Sequence, residues 1–520
     1  MGIFMEESIK DQFLRTYRRE SSFLDSIKQK AVLGDENAMY QLGLCYYYGN
    51  YGVPKNNKTA FDWFIKAANL GHMIAQYYTG YCFEKSIGVP RDAVQRAKYY
   101  GLAAQQGFMN AQYEMGYLYE YGIGIEKDEK KAAEMFQLAS DQGHPLAACS
   151  LGYFYEKGLG VPINLTKAVE YYQLASDRND PGGLCNLGYF YEYGIHVEID
   201  FDKARKLYQR AAKQGYARAQ CNLAHLYENG KGVPQNYSLA MFYYKKAAKQ
   251  NYPRAQRCLG ILYANGHGVE KNVDKAFALY IKAAEQGDEV AQCNVGYYYD
   301  NGISVALDPV KANEWYEKSA NQGFAISQYN LAWNLERGIG AKQDYKKAFA
   351  LYEKAAKQGH ASAKFCIAYA YHYGHGVEKD LQKAIVLYKE LADQDDAEAL
   401  CNLGYIYGND LEADAIDHDL AFTYYEKAAK LGDAVALCNI GDCYEKGNGV
   451  TQNYKKAVEY YKMSADQDVD SAQYSLGYCY ENGWGVAQDI NKAIAYYRKA
   501  ADHGYEDAID ALKRLDKKDK

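Results

Sequence analysis

Aligned with itself, the 520-residue chain returns a period of 36 residues, and that period decides the fold class before composition is considered. Copies begin at Ala38, Ala75, Ala111, Ala147, Gly183, Ala219, Ala255, Ala291, Ser327, Ala363, Ala399, Ala436 and Ala472. Ten of the twelve intervals are 36 residues, and the first and eleventh are 37. Thirteen copies therefore fill residues 38–507 with no Pro-, Gly- or Ser-rich linker between them. A unit this short cannot bury its own apolar face, so neighbours must stack into one quasi-linear body.

The copy from Ala219 to Arg254 shows how one unit folds. Ala219, Leu223 and Tyr227 fall on one face of a helix. Gly230 and Gly232 end it, and Val233-Pro234 carries the chain onward. A second helix follows through Ala240, Tyr243, Ala247 and Ala248, and Asn251 stops it. The second helix has Asn or Asp at its N-cap in every copy, from Asn56 and Asp92 to Asn453 and Asp489. These short acceptors satisfy the free N–H groups of a first turn. The stop position is Gly, Asn or Asp throughout, from Gly71 to Gly504, as a left-handed C′ residue requires.

A third column lies inside the first helix: ten glycines, such as Gly152 and Gly188, and three alanines, Ala224, Ala332 and Ala368. Glycine inside a helix costs about 1 kcal/mol relative to alanine, so a neighbouring helix must approach too closely for a larger side chain. The expected fold is all-α: an elongated α/α superhelix, or solenoid, of about 13 helix-turn-helix repeats. Some 26 repeat helices are expected plus caps, with an N-terminal helical cap in 1–37 and a C-terminal capping helix and basic tail in 508–520.

The motif A-x-x-x-L-G-x-x-Y-x-x-G-x-G-V…K-A-x-x-x-Y-x-K-A-A-x-x-G is nearly verbatim in several copies, as in Ala147 to Val161. It resembles the Sel1-like repeat, a relative of the tetratricopeptide repeat, so residues 38–507 read as thirteen Sel1-like repeats. The resemblance implies an adaptor or scaffold whose stacked first helices line a protein-binding groove. Its known contexts include ER-associated degradation, chitin-synthase activation and bacterial host interaction. Two copies depart from the pattern: Ser86 replaces a turn glycine, and the eleventh carries the acidic turn 408–414, read as a tolerated loop variant or a contact point.

Charge and motifs exclude several functions. Sixty basic residues against 66 acidic ones give a net charge of −6, which argues against nucleic acid as a partner. No stretch approaches 18 consecutive apolar residues and the N-terminus has no signal-peptide pattern, so a cytoplasmic location without membrane insertion is expected. Glu6 breaks the myristoylation pattern that Met1-Gly2 opens, and three glycosylation sequons are read as chance. No H-E-x-x-H, G-x-S-x-G or Walker A motif occurs, and no C-x-x-C. Catalytic residues, a metal and cofactors are therefore not expected, and a hydrolase ranks last among the readings. Cys149, Cys185 and Cys221 stand one repeat apart, about 10 Å between stacked helices, so free thiols are expected. His372 and His375 read as solvated turn residues.

Between the packing positions of the first helices, three columns are assigned to the groove. One is aromatic: Tyr117, Tyr153, Tyr189, Tyr297 and Trp333, with His225 in the same register. Three residues earlier stand Asn186, Asn222, Asn294 and Asn330, whose amides suit a peptide backbone. Three residues later stand Glu120, Glu156, Glu192 and Glu228. Together they describe an acidic, tyrosine-lined groove for a protein or extended peptide carrying Lys or Arg. The competing reading packs the aromatic ladder between repeats and leaves the glutamates solvated. A second function remains open, a regulatory subunit that activates a membrane-bound enzyme or a host-interaction factor.

Overall fold

Each helix starts and stops where local chemistry compels it. In the computed structural model, which describes residues 20–409 and 416–518, there are 28 helices and no strand among the described residues. Thirteen pairs account for 26 of them. The other two are Glu20–Val32, before the first pair, and Glu506–Lys518, after the last. At Asn56, Asp92, Asp128, Asn164, Asp200 and Asn236 the side-chain Oδ1 accepts the N–H three residues on, at 2.9–3.0 Å. Asp308, Asp344, Asp380, Asp417, Asn453 and Asp489 repeat the bond at 2.9–3.1 Å. Every stop residue lies in the left-handed region, including Asn179, Asn251, Asp395 and Asp468 with φ between 57° and 60°. Ser86 also adopts it, with φ 57°, and so serves in place of the missing turn glycine. Most of the acidic turn 408–414 lies outside the described residues.

The described residues form two compact units that divide between Asn272 and Val273. Within each, the first and second helices of a repeat pack most closely on one another, and the second helix packs on the next first helix. The tightest contact is an aromatic ring on a glycine. Tyr100, Tyr172 and Tyr208 of the second helices are fully buried over Gly80, Gly152 and Gly188, and Phe136 covers Gly116. In the second unit Tyr316, Tyr425, Tyr461 and Tyr497 lie over Gly296, Gly404, Gly441 and Gly477. A Cβ on any of these glycines would sit 2.6–2.8 Å from a ring carbon. The crowding neighbour is thus the ring of the repeat's own second helix.

Glutamine amides tie one repeat to the next. Gln106, Gln142, Gln250, Gln322 and Gln358, each just before a turn or one residue from it, donate to a glutamine 30 residues earlier at 2.6–2.9 Å. Those earlier glutamines are buried and donate in turn to alanine carbonyls, as Gln76 does to Ala68 at 3.2 Å. Buried amides held at both ends fix the stacking register.

Three first helices are capped by histidine. Nδ1 of His72, His144 and His360 accepts the N–H of Ala75, Ala147 and Ala363 at 3.0, 3.2 and 3.3 Å. Their rings stack on Tyr40, Tyr113 and Tyr329 at 4.4–4.7 Å. Burial lowers the pKa of all three, and that of His144, which also feels Arg178, falls to about 4. For His144 a depressed folded pKa means that between about pH 4 and 6.5 the unfolded chain holds a proton the native chain rejects. The contribution is complete above pH 6.5 and is lost as pH falls through that window. Urea unfolding at pH 4.5 against pH 7.5 should show a loss of roughly 2 kcal/mol from His144. His144→Asn, whose cap does not titrate, should shrink that difference.

Candidate functional site

The local order Gly152-Tyr153-Phe154-Tyr155 sets out the first-helix face. Gly152 lies under Tyr172, Phe154 is fully buried, and Tyr153 between them turns outward, 42% exposed. The same register leaves Tyr117, Tyr297, Trp333 and Tyr405 at 38–50% exposure, while Tyr189 and His225 are half-buried. Rings one turn apart pair along the helix: Tyr117 with Tyr121 at 4.7 Å, Tyr189 with Tyr193 at 4.5 Å, and Tyr369 with Tyr373 at 4.4 Å. The next tyrosine, at 155, 227, 407, 444 and 480, stacks instead on the second helix, at 5.6–6.1 Å.

The carboxylates have internal partners. Glu156, Glu192 and Glu228 accept the hydroxyls of Tyr172, Tyr208 and Tyr244 at 2.7, 2.9 and 2.6 Å. Glu192 is buried, and Lys231 Nζ reaches it at 3.4 Å. Repeat three has Phe136 in the place of these tyrosines, so Glu120 lacks this donor, and burial raises its pKa. His372 falls in the same register and corrects the sequence reading. It is 2% exposed inside helix Ala361–Tyr373, packed 6.2 Å from the ring of Tyr388, and is no solvated turn residue. Its spacing of 36 from Glu336 was the available signal.

The asparagine column is also held from within. Asn186 donates to Cys149 Sγ at 3.6 Å and accepts from Arg218 at 2.9 Å. Asn222, buried, donates to Cys185 at 3.7 Å and accepts from Arg254 at 3.2 Å. Asn330 bonds the Tyr316 hydroxyl, and Asn294 is half-buried. Arg218 and Arg254, one repeat apart, went unnoticed in the sequence, and they bring positive charge to the first unit's helix face.

All twelve cysteines are free thiols, most of them buried. Cys258 takes the asparagine position of repeat seven, 37 residues after Cys221, and the two thiols hydrogen-bond. That contact corrects the argument from 36-residue spacing, because thiols touch at an offset of 37. The bond from Cys221, aided by Arg257 and Arg254, pulls the Cys258 pKa down, whereas burial pushes Cys45 up to about 11 and Cys82 up to about 12. Thiolates are the reactive form. Iodoacetamide at pH 7 should therefore alkylate Cys258 first, read by peptide mass spectrometry, and Cys258→Ser should abolish the fast phase. Uniform slow labelling would contradict the assignment.

Among the described residues no three His, Cys, Asp or Glu side chains converge as a metal site, and no helix is long and apolar enough to cross a membrane. Thirteen consecutive segments match the Sel1 repeat, from 37–72 and 74–108 through to 470–505. The crystal structure of c5321, a protective antigen present in uropathogenic Escherichia coli and displaying an SLR fold, is 29% identical. It aligns over 95% of this chain and 97% of that one, with a TM-score of 0.57. A Sel1 repeat protein from Oxalobacter formigenes is 31% identical over 58% of this chain and 87% of its own, with a TM-score of 0.43. An 82-residue stretch is 29% identical to HRD3A of Arabidopsis thaliana, an ERAD-associated E3 ubiquitin-protein ligase component. That match spans 16% of this chain and 12% of the plant protein.

Proposed function

Because the chain belongs to the Sel1 repeat family, we propose that it is a non-catalytic scaffold that binds a partner protein, as an extended segment, on the first-helix face of its repeats. Sel1 repeats are generally protein-interaction scaffolds, and the stretch similar to a ligase component fits a subunit that holds other proteins. The observation that carries the reading is the outward aromatic column. Tyr117, Tyr153, Tyr297, Trp333 and Tyr405 expose large rings in one register, although the fold buries the tyrosine column of the second helices completely. Aromatic anchors that are rigid and half-exposed supply most of the binding energy in protein interfaces.

The two units differ in what they offer. In the first, Arg218 and Arg254 accompany the aromatics, whereas basic partner residues suit the second, where one cavity on this face is lined by Glu336, Asp396 and Glu398 against Arg337 alone. A cytoplasmic or otherwise reducing setting belongs to the same reading, supported by twelve free thiols with one pair in contact. Affinity capture from native extract should return a defined partner, cross-linked to the first helices. Tyr117→Ala with Tyr153→Ala should weaken that capture by at least about 30-fold, the loss of a single anchor worth roughly 2 kcal/mol. Helicity and melting should stay close to those of the parent. Undiminished binding by the double variant, or cross-links confined to second helices, would overturn the reading.

A further inference from the structure

A cavity of about 480 Å³ opens on the first-helix face of the second unit, across repeats nine to eleven. Its volume falls within the usual range of ligand pockets. Tyr329, Trp333, Phe365 and Tyr369 form its aromatic walls, and Glu336, Asp396 and Glu398 supply carboxylates. Arg337 is the one cationic side chain in the lining, which leaves an excess of two negative charges. We infer that this pocket receives the ammonium group of a lysine projecting from an extended segment of the partner protein. The inference rests on the reading of the first-helix face as the binding surface and gives one of its subsites a ligand.

Three observations support a cation. First, the chain already places one there. The guanidinium of Arg337 lies 3.1 Å over the centre of the Trp333 ring, and its Nη1 bonds Glu336 at 3.2 Å. Trp333 is thus a working cation–π surface, with its counter-charge one turn away. Second, Glu336 is anchored before any ligand arrives. Its Oε2 accepts the Tyr352 hydroxyl at 2.9 Å, so the carboxylate is pre-oriented with the second helix behind it. Third, Glu398 stands in the register that Arg218 and Arg254 fill in the first unit, a charge reversal at one position of the repeat. Among the described residues no cationic side chain is paired with Glu398. Burial, with Asp396 and Asp433 nearby, pushes its carboxyl above the usual range, a crowding that an incoming cation relieves.

Arg337 accordingly acts as a resident competitor. A lysine entering the pocket shares or displaces it from Trp333 and Glu336, and its ammonium lies between Glu336 and Glu398 while its stem covers Tyr369. This assigns opposite signs to two substitutions in one pocket. The test uses the full chain and a fluorescein-labelled Gly/Ser dodecapeptide carrying three lysines, with a matched peptide carrying norleucine in their place, followed by anisotropy. The lysine peptide should bind and the norleucine peptide should bind about tenfold more weakly or not at all. Trp333→Leu and Glu398→Gln should each weaken lysine-peptide binding about five- to tenfold, whereas Arg337→Ala should strengthen it at least about threefold. A gain on Arg337→Ala cannot come from misfolding. Equal binding of the two peptides, a loss on Arg337→Ala, or no change on Glu398→Gln would overturn the assignment. If the peptides bind alike while Tyr117→Ala with Tyr153→Ala still releases the captured partner, the lysine pocket falls and the groove reading stands.

Discussion

The buried tyrosine of a second helix reaches a carboxylate sixteen residues before it because its ring lies against a glycine or alanine of the first helix. In repeat five the Tyr208 ring covers Gly188 and its hydroxyl meets Glu192 at 2.9 Å. The contact combines close apolar packing with a hydrogen bond from the hydroxyl to the carboxylate. A larger residue at 188 would lift the ring and with it the hydroxyl, leaving a buried carboxylate without its donor, which is costly. The glycine weakens its own helix by about 1 kcal/mol, and the ring that it admits more than offsets this. Repeats six, nine and ten carry Ala224, Ala332 and Ala368 there, and the Tyr244 and Tyr352 hydroxyls still meet Glu228 and Glu336 at 2.6 and 2.9 Å, so one methyl is tolerated.

That lock decides which face of the first helix is available. With glycine, leucine and the outer tyrosine turned toward the second helix, the residue after the glycine has no internal partner helix and projects outward. The exposed column at Tyr117, Tyr153, Tyr297 and Trp333 is therefore a consequence of how the repeat closes. What varies along the face is charge. The position before each repeat start is Arg in copies six and seven and Glu in copy eleven, so similar backbones present opposite electrostatics. Specificity in such an array comes from these few variable positions over a constant frame.

Helix boundaries were legible in the sequence because capping demands one chemistry at one place, and Asn56 or Gly71 announces it locally. The glycine column was legible for the same reason, as a residue with no other excuse inside a helix. Interactions that span a turn or a repeat were not. The Glu192–Tyr208 bond joins residues sixteen apart, the Gln142–Gln112 bond thirty apart, and Cys221 meets Cys258 at an offset of one residue beyond the period. No local rule contains these distances, so Glu192 read as a groove ligand and Asn222 as a free amide. His372 was misplaced because two histidines beside a glycine look like a turn, although the 36-residue register puts His372 opposite Tyr388.

The lock itself is open to a direct test through a double-mutant cycle in repeat five. Gly188→Leu should destabilise the chain by about 3 kcal/mol in urea unfolding, and Tyr208→Ala by a similar amount through the lost ring and its hydrogen bond. Because leucine at 188 occupies the space that the ring vacates, the pair together should cost at least about 1 kcal/mol less than the sum of the two alone. Gly188→Ala should stay near neutral. Strict additivity of the two large changes, or a harmless Gly188→Leu, would contradict the claim that the ring on the glycine closes each repeat.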